Sequence, residues 1–167
     1  MKRLLFAFLL ITATLSSMAD TLTIKELFKE MPDSIIPYLS KNNRLDFIDF
    51  MESKMKAEVT NEMGGKSLMT ELTDDSISIC LNEACRLDML LLNVTHDVDS
   101  CRQVIAIVRT VGLENDIQES EEPQYFSVRW KPITDTPQLT ETSGKRLLSA
   151  VKAINILNII SKRLNKD

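Results

Sequence analysis

The segment Gln103 to Val111, QVIAIVRTV, is apolar on both faces, with Val104, Ala106 and Val108 set against Ile105 and Ile107. Successive side chains of an extended chain point to opposite sides. A strand with this pattern must therefore be covered on both faces, which demands a sheet with a layer on each side. The neighbouring segments supply the rest of that sheet. Ile77, Ile79 and Leu81 alternate with Ser76, Ser78 and Cys80 across Ser76–Leu81. Ser67–Leu72 and Ser76–Leu81 flank Thr73-Asp74-Asp75, a hairpin turn. Arg86–Leu92 points Leu87, Met89 and Leu91 one way, and Val94–Ser100 reads as the loop to the central strand. Gln124–Lys131 sends Phe126, Val128 and Trp130 inward and Tyr125, Ser127, Arg129 and Lys131 outward, until Pro132 stops it. Five strands in chain order predict an antiparallel meander.

The covering layers are helical. Thr23 is placed to cap a first helix, with Glu26 completing a capping box and Leu22 and Leu27 a hydrophobic staple. Ile24, Leu27, Phe28 and Met31 share a face, and Pro32 ends the helix. Ser34 caps a short turn over Ile35–Leu39. Asn42 or Asn43 caps a second helix, about Arg44 to Lys56, with Leu45, Ile48, Met51 and Met55 on one side. Glu52 and Lys56 form an i,i+4 pair on it, and Gly64-Gly65 closes the helical half. A closing helix from about Gly144 to Leu164 carries a wide apolar stripe: Leu147, Leu148, Val151, Ile154, Leu157 and Ile160. The expected class is α+β, with N-terminal helices packed on a meander of about five strands and a C-terminal amphipathic helix.

Lys2 and Arg3, the apolar run Leu4–Leu15 and Ser17-Met18-Ala19 read as a signal peptide, residues 1–19, cut between Ala19 and Asp20. The run is shorter than the roughly 20 residues that span a bilayer, and no cysteine follows the cut to carry a lipid. The expectation is an exported protein of the periplasm or cell envelope. Residues 20–143 form one α+β domain and residues 144–167 a basic helix. Cleavage takes the net charge from −4 to −6, a poor match for nucleic acid. The charge is uneven. Lys145 to Asp167 holds six cations and one acid, whereas Asp20 to Gly144 holds 12 Lys and Arg against 23 Asp and Glu. Such a tail either folds back on the acidic body or reaches another acidic surface.

The motifs that could carry chemistry are sparse. Gly64-Gly65-Lys66-Ser67 looks like the end of a phosphate loop, but Thr60 stands where the pattern needs glycine. A glycine turn is the better reading. His96 is the only histidine; it excludes clustered-histidine zinc sites and is the only candidate base for a nucleophile. Asp97 and Asp99 beside it lack the spacing of a calcium loop. The acidic run Gly112–Pro123 and the exposed pair Asp46 and Asp49 read as solvated surface. Asn93-Val94-Thr95 matches a glycosylation sequon. The meander sets Leu81 opposite Arg86, so Cys80–Cys85 is the one bridge the register allows. Cys101 lies on the order of 20 Å away by strand rise and stays unpaired. The basic helix covers the sheet, docks an envelope protein, or lies on an anionic membrane.

Met31-Pro32-Asp33-Ser34, Pro37-Tyr38-Leu39, Asn42-Asn43-Arg44-Leu45-Asp46, Gly64-Gly65-Lys66-Ser67 and Leu72-Thr73-Asp74-Asp75 resemble the domain-of-unknown-function family numbered 3256, exported proteins of Gram-negative anaerobes. The resemblance runs through Val104–Arg109 and Tyr125–Pro132 to about Pro132 and leaves the basic helix unmatched. It implies export and a small α+β domain, and brings no catalytic residues.

Three readings of function follow. The first is a non-enzymatic binding or structural protein of the envelope, with Tyr125, Ser127, Arg129 and Lys131 as a contact row. The second is a small carboxylate- or metal-dependent hydrolase using Asp74, Asp75 and the acidic loop. The third is docking to a partner or membrane through Lys145–Lys166. No catalytic, cofactor or metal residues are assigned.

Overall fold

A computed structural model describes residues 22–112 and 119–151. Helix α1 (Ile24–Lys29) and helix α2 (Lys41–Glu52) precede strands β1 (Glu58–Thr60), β2 (Lys66–Leu72), β3 (Ser76–Asn82), β4 (Cys85–Val98) and β5 (Cys101–Val111). Strands β6 (Glu119–Ser120), β7 (Gln124–Ser127) and β8 (Pro132–Ile133) follow, and residues 141–151 are helical (α3). All strands join one antiparallel sheet in the order β1-β2-β3-β4-β5-β7-β8, with β6 paired to the far end of β5. The five expected strands are β2, β3, β4, β5 and β7; the other three are two or three residues long.

The two-sided strand has its two layers. On one face Ile105 and Ile107 join Leu87, Met89, Ile77 and Ile79 beneath Ile24, Phe28, Phe47 and Ile48 of the first two helices. On the other, Val104 and Ala106 join Leu90, Leu92 and Val94 against Leu147 and Ala150 of α3. Thus α3 covers the sheet as far as residue 151, the first of the three roles expected for it. It starts at residue 141 rather than 144, because the Thr140 hydroxyl accepts from the Ser143 amide at 3.4 Å as its cap. The Ser143 hydroxyl in turn accepts from the Asn93 amide at 2.8 Å.

At the amino end Thr23 caps α1 through the Glu26 amide, but the Glu26 carboxylate turns to Lys29 at 3.0 Å and does not complete a box. The α2 cap is Ser40, not an asparagine. Its hydroxyl accepts from the Asn43 amide, and the Asn43 side-chain oxygen accepts from the Ser40 amide at 3.2 Å. The helix begins three residues earlier than expected, and its buried face is centred away from Leu45. Asn43, Arg44, Phe47 and Ile48 are buried, while Leu45 and Met55 are exposed. Glu52 then reaches Lys25 of α1 at 2.8 Å instead of Lys56, which pairs with Glu58. Residues 33–39 form two turns, where one short turn over Ile35–Leu39 was expected. Arg44 ties them down, donating to the Leu39 carbonyl at 2.8 Å, to the Met31 carbonyl, and to the Asp33 carboxylate at 2.7 Å.

Gly64-Gly65 turns the β1–β2 hairpin, with Gly64 at φ 79. The sequence reading missed β1, which is only three residues long. Strand β4 runs to Val98, so the expected loop is a two-residue turn, Asp99-Ser100, with φ 51 and 64. Strand β7 stops at Ser127, four residues short of the expected end. There the Ser127 hydroxyl accepts from the Arg129 and Lys131 amides, and Trp130 takes φ 62. That turn sends the Trp130 indole N–H to the Leu27 carbonyl at 3.0 Å, with its ring 5.8 Å from Phe126.

Candidate functional site

The residues singled out from sequence are scattered. His96 lies on the projecting end of β4, its Nδ1 3.0 Å from the Thr95 hydroxyl. Asp97 pairs with Arg102, and Asp99 with Lys131 at 3.2 Å and Arg129 at 3.7 Å. Lys131 and Arg129 hold the Asp99 carboxyl below its ordinary range. Asp46 and Asp49 face solvent. Lys66 bonds the Thr60 hydroxyl at 3.1 Å and Ser67 the Leu81 carbonyl at 2.7 Å, so the glycine turn holds no phosphate cradle.

Asp75 pairs with Arg146 of α3 at 2.8 Å, at the opposite end of β3 from Glu121. The structure therefore does not bring Asp74 and Asp75 together with the described part of the acidic loop; residues 113–118 of that loop lie outside the described residues. Among the described residues no group of three His, Cys, Asp or Glu side chains is placed to hold a metal. The expected contact row is broken up too. Ser127 is buried, Tyr125 packs into the second core, where burial raises its phenol, and Arg129 and Lys131 converge on Asp99.

All three cysteines are free. A bulge at Leu81 shifts the expected register, pairing Cys80 with Arg86 and Asn82 with Cys85. Cys80 follows Ser78 on the face of α3, whereas Cys85 joins the core under the first two helices. With the sheet between them the sulfurs cannot meet.

That displacement of Cys85 opens what the sequence reading missed. A cavity of about 240 Å³ lies between the 33–39 turns and the ends of β3, β4 and β5. Ile36, Pro37, Leu81 and Val111 form its apolar wall; Tyr38, Cys85, Arg109 and Glu121 supply the polar groups. Arg109 continues the Ile105 and Ile107 face, a cation on an otherwise apolar row, and this was the one signal in the sequence. Its guanidinium donates to the Ile35 carbonyl at 3.0 Å, which fixes it against the turn that Arg44 anchors. The Tyr38 hydroxyl accepts from the Asn82 amide group at 3.3 Å. Burial pushes the Cys85 thiol above its ordinary value; Arg109 offsets part of the rise and Glu121 adds to it.

A second cleft of about 300 Å³, beside Lys25, Glu52 and Asp74, is more open. There the Lys25–Glu52 bond raises the ammonium and lowers the carboxyl, so the two charges satisfy each other. The polar cluster on the α3 face is satisfied as well: the exposed Arg86 forks onto the buried Asp88, with Nε 3.1 Å from both oxygens, and the Ser78 hydroxyl donates to the same carboxylate.

No curated protein matches the chain. Among solved structures it is similar to a domain of an uncharacterized protein from Porphyromonas gingivalis W83, at 21% identity and a TM-score of 0.50. The alignment covers 66% of this chain and 53% of that one, so the chain spans about half the length of that structure, and the likeness concerns fold alone. Residues 14–166 match a family model, which extends the resemblance past Pro132 and through the basic helix. The chain belongs to the family described as Protein of unknown function (DUF3256).

Proposed function

We propose that this is an exported, non-enzymatic binding protein of the cell envelope and that the Cys85 cavity is its ligand site. The observation that carries the reading is the make-up of that cavity: an apolar wall with a few convergent polar groups, the usual composition of a small-molecule site. Its chemistry suits holding more than turnover. An activated thiol needs its pKa lowered, and here burial raises it. The lone histidine stands eleven residues along β4 from Cys85, on the order of 30 Å by strand rise. Export rests on Lys2, Arg3, the apolar run and Ala19, all outside the described residues.

Native purification tests both parts. The protein recovered from a periplasmic fraction begins at Asp20, and mass spectrometry finds a small molecule released from it on denaturation. Cys85→Trp, which fills the cavity, loses that molecule. Retention of the same molecule by a folded Cys85→Trp protein overturns the site, and an intact Met1 overturns the export.

A further inference from the structure

We propose that the Cys85 cavity takes a small zwitterion with an apolar body, of the class of the free aliphatic α-amino acids. The inference rests on the binding reading above and adds the chemistry of the ligand. Arg109 and Glu121 line the same cavity and sit on paired chain segments, since the Glu121 amide donates to the Arg109 carbonyl at 2.8 Å. Among the described residues the two side chains form no ion pair with each other, although both charges are felt at the Cys85 sulfur with opposite sign. Arg109 and Glu121 are thus cross-strand neighbours of opposite charge that line one apolar-walled space without pairing with each other.

The charges decide between ligand classes. A hydrocarbon would cover the half-buried Arg109 guanidinium with nothing to replace its water, which is expensive, and would leave the exposed Glu121 carboxylate at the rim without a partner in the cavity. A monoanion would satisfy the Arg109 fork and meet repulsion from Glu121; a monocation would do the reverse. A ligand with both signs satisfies both. Its carboxylate matches the planar guanidinium, whose orientation the Ile35 carbonyl already sets. The Tyr38 hydroxyl, accepting from Asn82, keeps its own hydrogen for the same carboxylate. The ammonium faces Glu121, and the side chain lies on Ile36, Pro37, Leu81 and Val111. The size agrees: about 240 Å³ falls below the roughly 300–1,000 Å³ of sites for drug-sized ligands.

The test is protection of Cys85 from carbamidomethylation at alkaline pH, read by peptide mass spectrometry, with Cys80 and Cys101 as internal controls. L-leucine at ten times its dissociation constant is expected to slow Cys85 labelling about tenfold, since only the empty site reacts. It should leave the other two thiols unchanged. 4-Methylpentanoate and isopentylamine, which carry one charge each, are expected to have less than about twofold effect at the same concentration. Glu121→Gln should lose leucine protection while keeping the wild-type thermal midpoint. If either singly charged analogue or neutral 3-methylbutanol protects as well as leucine, the zwitterion class is overturned and the binding site stands. If none of the four compounds protects Cys85, the ligand class and the binding reading both fail.

Discussion

A guanidinium taken out of water must recover its lost hydration from the protein. Arg44, 1% exposed, does so at its two terminal nitrogens with two main-chain carbonyls and Asp33, while its buried Nε has no partner among the described residues. Most of the contribution comes from the carbonyls, because the Asp33 side chain is 64% exposed and exposed ion pairs are weak. Arg44→Met is accordingly expected to lower the unfolding free energy by about 2–4 kcal/mol in a denaturant titration, with Asp33→Asn costing less than about 1 kcal/mol. Asp99 behaves differently. Its carboxyl is held down by Lys131 and Arg129, so it contributes stability above the ordinary aspartate value near 4, lost as pH falls through the lower folded value. Asp99→Asn keeps a side chain that tolerates the left-handed turn. The difference in thermal midpoint between wild type and Asp99→Asn should persist at neutral pH and shrink as pH drops below about 4.

The turns show where elements were legible. The alternation of Ser76–Leu81 and the double-sided run Gln103–Val111 are statements about burial, and burial decides strands, so both elements stand where they were expected. The failures are local. Ser40 outcompeted the two asparagines because a hydroxyl and an amide three residues apart satisfy each other. The strict alternation of Gln124–Lys131 hid a turn because Trp130, a poor residue for positive φ, is held there by its bond to Leu27. The cavity was hidden because its lining comes from four separate stretches and because one bulged residue decides which face Cys85 takes. Ser100, at φ 64 in a two-residue hairpin turn, sits where glycine is preferred. Ser100→Gly is expected to raise stability by about 0.5–1 kcal/mol, measured by thermal or chemical unfolding.

At the scale of the molecule the sheet is a wall shared by two cores, and α3 closes the second. A chain ending at Leu139 would expose Leu90, Leu92, Val94, Val104 and Ala106, which are buried beneath and beside α3. The expected loss is on the order of 5 kcal/mol, visible as dye binding to exposed apolar surface and a lowered melting temperature. A chain ending at Val151 keeps the described part of α3 and removes Lys152, Lys162, Arg163 and Lys166. Comparing the two separates the covering role of α3 from any docking role of the basic end.

The bond from the Trp130 indole to the Leu27 carbonyl spans 103 residues. A ribosome adding about 5–20 residues per second needs on the order of 5–20 s to cover that distance. Throughout that interval α1, six residues long, is too short to persist alone. Ile24–Lys29 therefore lacks its bond to Trp130 until most of the sheet has been made. The first helix in the sequence receives one of its anchoring bonds from almost the far end of the sheet.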